Sequence, residues 1–127
     1  MIPYKKITLE NGLRIVLVPQ PDSLAATVLV LVGTGSKYET KNINGLYHFL
    51  EHMCFKGTKN RPKSSQISQE LDGLGAVYNA FTSRESTGYY AKVEARHLDK
   101  ILEIIPDLYL NPVFDAKEID KERGVII

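Results

Sequence analysis

"AVYNAFTSRESTGYYAKVEA", Ala76 to Ala95, decides the fold class. Its two halves are rich in β-branched and aromatic residues, which suit a pleated, half-buried surface. Ser83 to Ser86 forms a polar break between them, so the stretch predicts an antiparallel hairpin. Helices are expected on both sides. Upstream, "RPKSSQISQELDGLG" opens on Pro62 and serines and closes on Gly73 and Gly75. Downstream, Leu98, Ile101, Leu102, Ile105 and Leu108 recur at helical spacing, which predicts a helix from Arg96 to Leu110. Asn111-Pro112 stops it, and Asp115 caps a fourth helix running toward Ile127.

Toward the N-terminus, "YKKITLENGLRIVLVPQ" reads as two strands about Asn11-Gly12, a dipeptide suited to a tight hairpin turn. "AATVLVLVGTGSKYE" supplies a third strand, apolar from Ala25 to Val32, that ends in a loop at Gly33, Gly35 and Ser36. Asn42 to Asn44 are then placed to cap a helix carrying "HFLEH", His48 to His52. The predicted order is βββααββαα. Hairpin-linked strands and helices in separate blocks indicate an α+β domain, an antiparallel sheet covered by helices.

Bulk properties set limits. At 127 residues the chain is expected to be one domain, residues 1–127. Sixteen basic residues against 15 acidic leave a net charge of +1, without the basic excess that a nucleic-acid or acidic-membrane partner requires. A single cysteine, Cys54, rules out an intrachain disulfide and fits a reducing compartment. The opening "MIPYKKITLENG" shows no apolar signal segment, so a cytoplasmic location is expected. The longest apolar run, Leu24 to Val32, is too short for a bilayer, which takes about 20 residues.

Two of the chain's three histidines lie within HFLEH. On a helix His48 and His52 are i and i+4 and share one face. Both imidazoles can reach one metal ion, and Glu51 stands near enough to take a proton from a water on that metal. The same pattern also suits two solvated histidines on the wet side of a helix, and the five residues alone leave both readings open. Cys54 lies about 200° round the helix from His52 and points away from that face, toward the interior. His97 reads as a surface residue.

The flanks add to this. "GLYHFLEHMCFKGTKNRP" resembles the signature of the inverzincins, the M16 or pitrilysin-like zinc metallopeptidases, among them the mitochondrial processing peptidases and their bacterial relatives. Tyr47 departs from the small residue usual before the first histidine. "ITLENGLRIVLVP" is similar to the family's opening hairpin and "VGTGSKYE" to its G-S-x-x-E approach to the histidine helix. "LDGLGAVYNAFTSRESTGYYAKV" is similar to its G-x-x-N-A-x-T-x-x-x-x-T-x-Y stretch, and "FDAKEIDKERGVI" to its acidic helix. The resemblance covers essentially the whole chain, in order.

It implies a part of the LuxS/MPP-like metallohydrolase fold and a zinc-dependent endopeptidase acting on extended peptides or presequences. His48 and His52 would be ligands of Zn2+, and Glu51 the general base. Asn79 and Ala80 would lie on an edge strand that binds peptide by strand addition. The family's third ligand, a glutamate seven residues after the position of Glu122, would fall about two residues past Ile127. Glu122 would stand behind the zinc, or move in as a substitute ligand. The chain is therefore expected to be the N-terminal part of a longer catalytic domain, or a naturally short protein. Its expected partner is a second M16-type domain or subunit, or a second copy of itself. The competing function is a non-catalytic scaffold or peptide-binding subunit, or an inactive fragment.

Overall fold

The computed structural model describes residues 1–126. Strands β1 (Lys5–Thr8) and β2 (Arg14–Leu17) pair antiparallel, Thr8 opposite Arg14. Their turn is a three-residue loop in which the Gly12 N–H donates to Leu9 O at 2.9 Å and the Leu9 N–H donates to Leu13 O at 2.8 Å. Gly12 has a φ of 87°, the left-handed conformation that such a loop asks of its last residue.

The other strands are β3 (Ala25–Val32), β4 (Val77–Thr82) and β5 (Thr87–Glu94), antiparallel throughout and ordered β3-β5-β4. The five strands thus divide between two sheets, where the sequence suggested one. Pro19 and Pro21 lie between β2 and β3. Proline carries no N–H for a ladder, so the pairing of the first hairpin is not carried on into β3.

Helix α1 spans Leu46–Cys54, α2 Ser64–Gly73, α3 Leu98–Leu110 and α4 Ala116–Ile126. A short 3-10 turn, Ala95–His97, precedes α3 and takes the first residues expected in that helix. The core joins Ile101, Ile104, Ile105 and Leu108 of α3 to Tyr89, Ala91 and Val93 of β5, with Ile67 and Leu71 of α2 and Cys54 of α1. Leu102, expected in the buried stripe, is 51% exposed. It lies about 100° round from Ile101 and falls outside the buried arc, which Ile104 completes. No helix among the described residues is long and apolar enough to cross a membrane.

The helix ends mostly follow the local code. At the start of α2 the Lys63 N–H donates to Gln66 Oε1 at 2.9 Å. At its end the N–H groups of Gly75 and Ala76 donate to the carbonyls of Asp72 and Leu71, both at 3.0 Å, with Gly75 at φ 66°. Asp115 Oδ1 accepts from the N–H groups of Lys117 and Glu118, capping α4 as expected.

α1 does not follow it. Asn42 to Asn44 do not cap this helix, contrary to the sequence expectation. Lys41–Ile43 form a 3-10 turn of their own, and Gly45, at φ 84°, starts the helix with no side chain of its own to cap it. That turn folds Glu39 back onto the helix end. Its Oε2 accepts from the Gly45 N–H at 2.7 Å and its Oε1 from the Tyr47 N–H at 2.9 Å. A carboxylate here accepts stronger bonds than a neutral asparagine and suits the positive end of the helix dipole. The bonds from Tyr47 and Gly45 hold its carboxyl below the usual range. The loop is anchored in turn. Ser36 and Lys37 donate their N–H groups to the carbonyls of Ser83 and Arg84, and Gly35 passes so close to Ser83 O that a Cβ would collide with it.

Candidate metal centre

His48 and His52 rise from the same face of α1. Their rings meet edge to face, at 88°, with Nε2 of one 3.0 Å from Nε2 of the other. Behind His52 stands Glu122 of α4. Its Oε1 lies 2.7 Å from His52 Nδ1, and its Oε2 lies 2.7 Å from Lys56 Nζ. Glu122 is only 3% exposed, so it is not a solvated helix residue. The Lys56 ammonium holds its carboxyl below the usual range against the opposing effect of burial, and His52 adds to the lowering.

These contacts fix the imidazole's role. An ionised carboxylate only accepts hydrogen bonds, so His52 Nδ1 carries the proton and donates it to Glu122. The lone pair of a neutral His52 is then on Nε2, facing His48. Two imidazole nitrogens on one zinc, at 2.0–2.1 Å each and near-tetrahedral, stand about 3.3 Å apart. The observed 3.0 Å needs only a slight parting of the rings. Two imidazole nitrogens, one already oriented by a carboxylate, fit zinc. Among the described residues no group of three or more His, Cys, Asp or Glu gathers around one metal position.

Glu51, on the same helix, accepts a hydrogen bond at Oε2 from the Thr82 hydroxyl of β4. Beside it opens a groove of about 590 Å³ whose walls include Glu51, His52, Phe55, Tyr78, Asn79 and Ala80. Along this groove runs β4, which among the described residues has β5 as its only paired strand. Asn79 Oδ1 accepts from the Ala80 N–H at 2.8 Å, so a side chain occupies that backbone donor.

The residues singled out in the sequence are therefore neighbours: His48, His52 and Glu122 in one row of close contacts, and Glu51, Asn79 and Ala80 on the groove that His52 also lines. Cys54 is buried, its thiol directed at the Tyr89 hydroxyl 3.5 Å away, and burial raises the pKa of both groups. His97 sits in the turn before α3. Sequence reasoning missed Glu39, Thr82 and Lys56. Glu39 and Thr82 stand at letters of the patterns G-S-x-x-E and G-x-x-N-A-x-T, which gave them no partner, and Lys56 lies two residues past the end of α1, where helical spacing gives no signal.

Residues 14–127 match the family model described as Insulinase (Peptidase family M16). The chain is 43% identical over 122 residues to an uncharacterized zinc protease, YmxG, of Bacillus subtilis (strain 168), covering 96% of this chain and 30% of that protein. It is 46% identical over 120 residues to the mitochondrial-processing peptidase subunit beta of Caenorhabditis elegans, covering 94% and 26%. The crystal structure of a protease from Helicobacter pylori superposes with a TM-score of 0.91 at 35% identity, over 97% of this chain and 30% of that one. The chain thus spans less than a third of the length of these relatives. A family match that runs from β2 through α4 makes this chain a member of the insulinase family, peptidase family M16.

Proposed function

We propose that the chain supplies the metal-binding helix, the general base and part of the peptide-binding edge of a zinc-dependent endopeptidase acting on extended peptides. The observation that carries this reading is the pair of facing Nε2 atoms on α1, with Glu51 on the same helix opening onto a groove beside an edge strand. His48 and His52 would hold the zinc. Bound there, it would make a water nucleophilic near neutral pH and polarise the scissile carbonyl.

The chain's own residues do the rest. Glu51 accepts the proton from the attacking water, and the Thr82 hydroxyl holds one of its oxygens in place. Glu122 keeps the His52 ring in one tautomer and one orientation. Both Glu122 oxygens are engaged, by His52 and by Lys56, which supports a place behind the ring rather than on the metal. The third ligand would be a carboxylate from polypeptide beyond Ile127. An extended peptide would pair with the open edge of β4, displacing Asn79 from the Ala80 N–H. A second M16-type domain or subunit would close over the groove.

The test is hydrolysis of a quenched fluorescent peptide by a longer polypeptide carrying this chain, compared with its Glu51→Gln variant. The variant should lose about 10²–10⁴-fold in rate. Activity that survives the substitution would exclude Glu51 as the base. No cleavage by the parent, with peptide still bound, would favour the peptide-binding scaffold.

A further inference from the structure

Lys56 is unexpected beside a proposed metal centre, because a cation near zinc ligands opposes the metal's charge. Its placement resolves the difficulty. The ammonium stands 2.7 Å from Glu122 Oε2, on the side of the carboxylate away from His52. The result is a line of four groups, Lys56, Glu122, His52 and His48, with successive separations of 2.7, 2.7 and 3.0 Å. Glu122 at its centre is buried, and a buried carboxylate needs every available partner to remain fixed and ionised.

The backbone holds the two ends of this clamp together. Lys56 follows α1, and the next residues pair with the segment leading into α4. The Lys59 N–H donates to Asn111 O at 2.9 Å, the Val113 N–H donates to Gly57 O at 3.2 Å, and Thr58 bridges to Pro112. Gly57, at φ 146°, lies so close to Pro62 O that no larger residue fits. One local pairing therefore sets both where Lys56 leaves α1 and where α4 begins to carry Glu122.

We propose that Lys56 is a positioning residue for the metal centre, acting through Glu122 to fix the tautomer and direction of the His52 imidazole. This rests on the reading of His48 and His52 as ligands. The ion pair leaves Glu122 a single free oxygen, and that oxygen faces Nδ1. Without the ammonium the carboxylate is free to turn, and the Nδ1–H would lose its one defined acceptor.

Three measurements on the chain and its Lys56→Met, Lys56→Arg, Glu122→Gln and Lys56→Met/Glu122→Gln variants test this. Zinc affinity, by competition with a chelator, should fall about tenfold in Lys56→Met and recover most of that in Lys56→Arg. In the Glu122→Gln background, Lys56→Met should cost less than twofold further, because its effect passes through the carboxylate. Imidazole 15N shifts of the metal-free chain should show His52 held as the Nδ1–H tautomer, and this preference should weaken in Lys56→Met. Thermal unfolding alongside separates these effects from a general loss of fold. An equal loss from Lys56→Met in both backgrounds would overturn the proposal, as would an unchanged tautomer. Failure of the parent to bind zinc would instead count against the ligand reading, and the nitrogen shifts would still decide the role of Lys56.

Discussion

Two polar clusters, one around Arg61 and one around His52, are built from the same kinds of groups and end differently. Arg61 is 5% exposed, and its guanidinium reaches Glu70 at 2.9 Å, Asp107 at 3.0 Å and Glu103 at 2.7 Å. Asp107 also accepts from the Thr58 hydroxyl at 2.6 Å and from the Asn60 and Asn111 amides at 2.7 and 2.8 Å. Each of these groups finds its partner inside the chain. The His52 cluster runs from Lys56 through Glu122 and stops at two imidazole nitrogens facing each other beside solvent. The closed cluster pins a loop to α3. The open one is oriented from behind and presents donor atoms in front. That difference separates polar groups paired wholly within the fold from polar groups left open toward solvent.

Breaking the closed cluster should have the largest effect on stability. Asp107→Ala removes the acceptor of four hydrogen bonds and leaves buried donors unmatched, at a cost of roughly 3–5 kcal/mol in urea unfolding. A loss below about 1 kcal/mol would show that the cluster is no anchor. The same residue makes the fold sensitive to acid. Burial pushes the Asp107 carboxyl up, but the bonds from Thr58, Asn111, Asn60 and Arg61 together outweigh this and hold it below the usual range. With the folded value depressed, its stabilisation is complete above the ordinary carboxylate range and is lost as pH falls through the folded value. Unfolding followed downward from pH 7 should show a smaller loss in Asp107→Asn than in the parent, the remainder coming from other depressed carboxyls such as Glu39 and Glu122.

A smaller effect should follow from Glu39→Gln, which keeps an acceptor at the start of α1 but removes its charge. Thermal unfolding should shift down modestly, and the Gly45 and Tyr47 amides should exchange faster, while the rest of the chain keeps its protection. Unchanged exchange at these two amides would remove Glu39 as the cap. The smallest effect is expected at the open end. His48 is exposed, and His48→Ala should change unfolding stability by no more than about 0.5 kcal/mol. A large loss there would make His48 part of the fold's support and erase the contrast between the clusters.

How far the sequence could be read follows the same division between local and distant contacts. The Ser83–Ser86 hairpin, the end of α2 at Gly73 and Gly75, and the Asp115 cap were legible because each partner lies within a few residues. The facing of His48 and His52 follows from helical spacing alone. The division into two sheets, the exposure of Leu102 and the Glu39 cap were not, since the fold's geometry decides each. In the candidate site, the sequence named both histidines, Glu51, Glu122, Asn79 and Ala80, with the family resemblance supplying most of the last three. It did not show Thr82 bonded to Glu51 across 31 positions, or Lys56 held by a carboxylate 66 positions away. Such contacts leave no periodicity to read.

The most direct measurement is a zinc titration of the metal-free chain, by calorimetry, beside His48→Ala and His52→Ala. One zinc per chain is expected, bound weakly enough that either substitution nearly abolishes it, while both variants unfold like the parent. Zinc binding that both variants retain would contradict the account, because the facing nitrogens of α1 would then not be the donors.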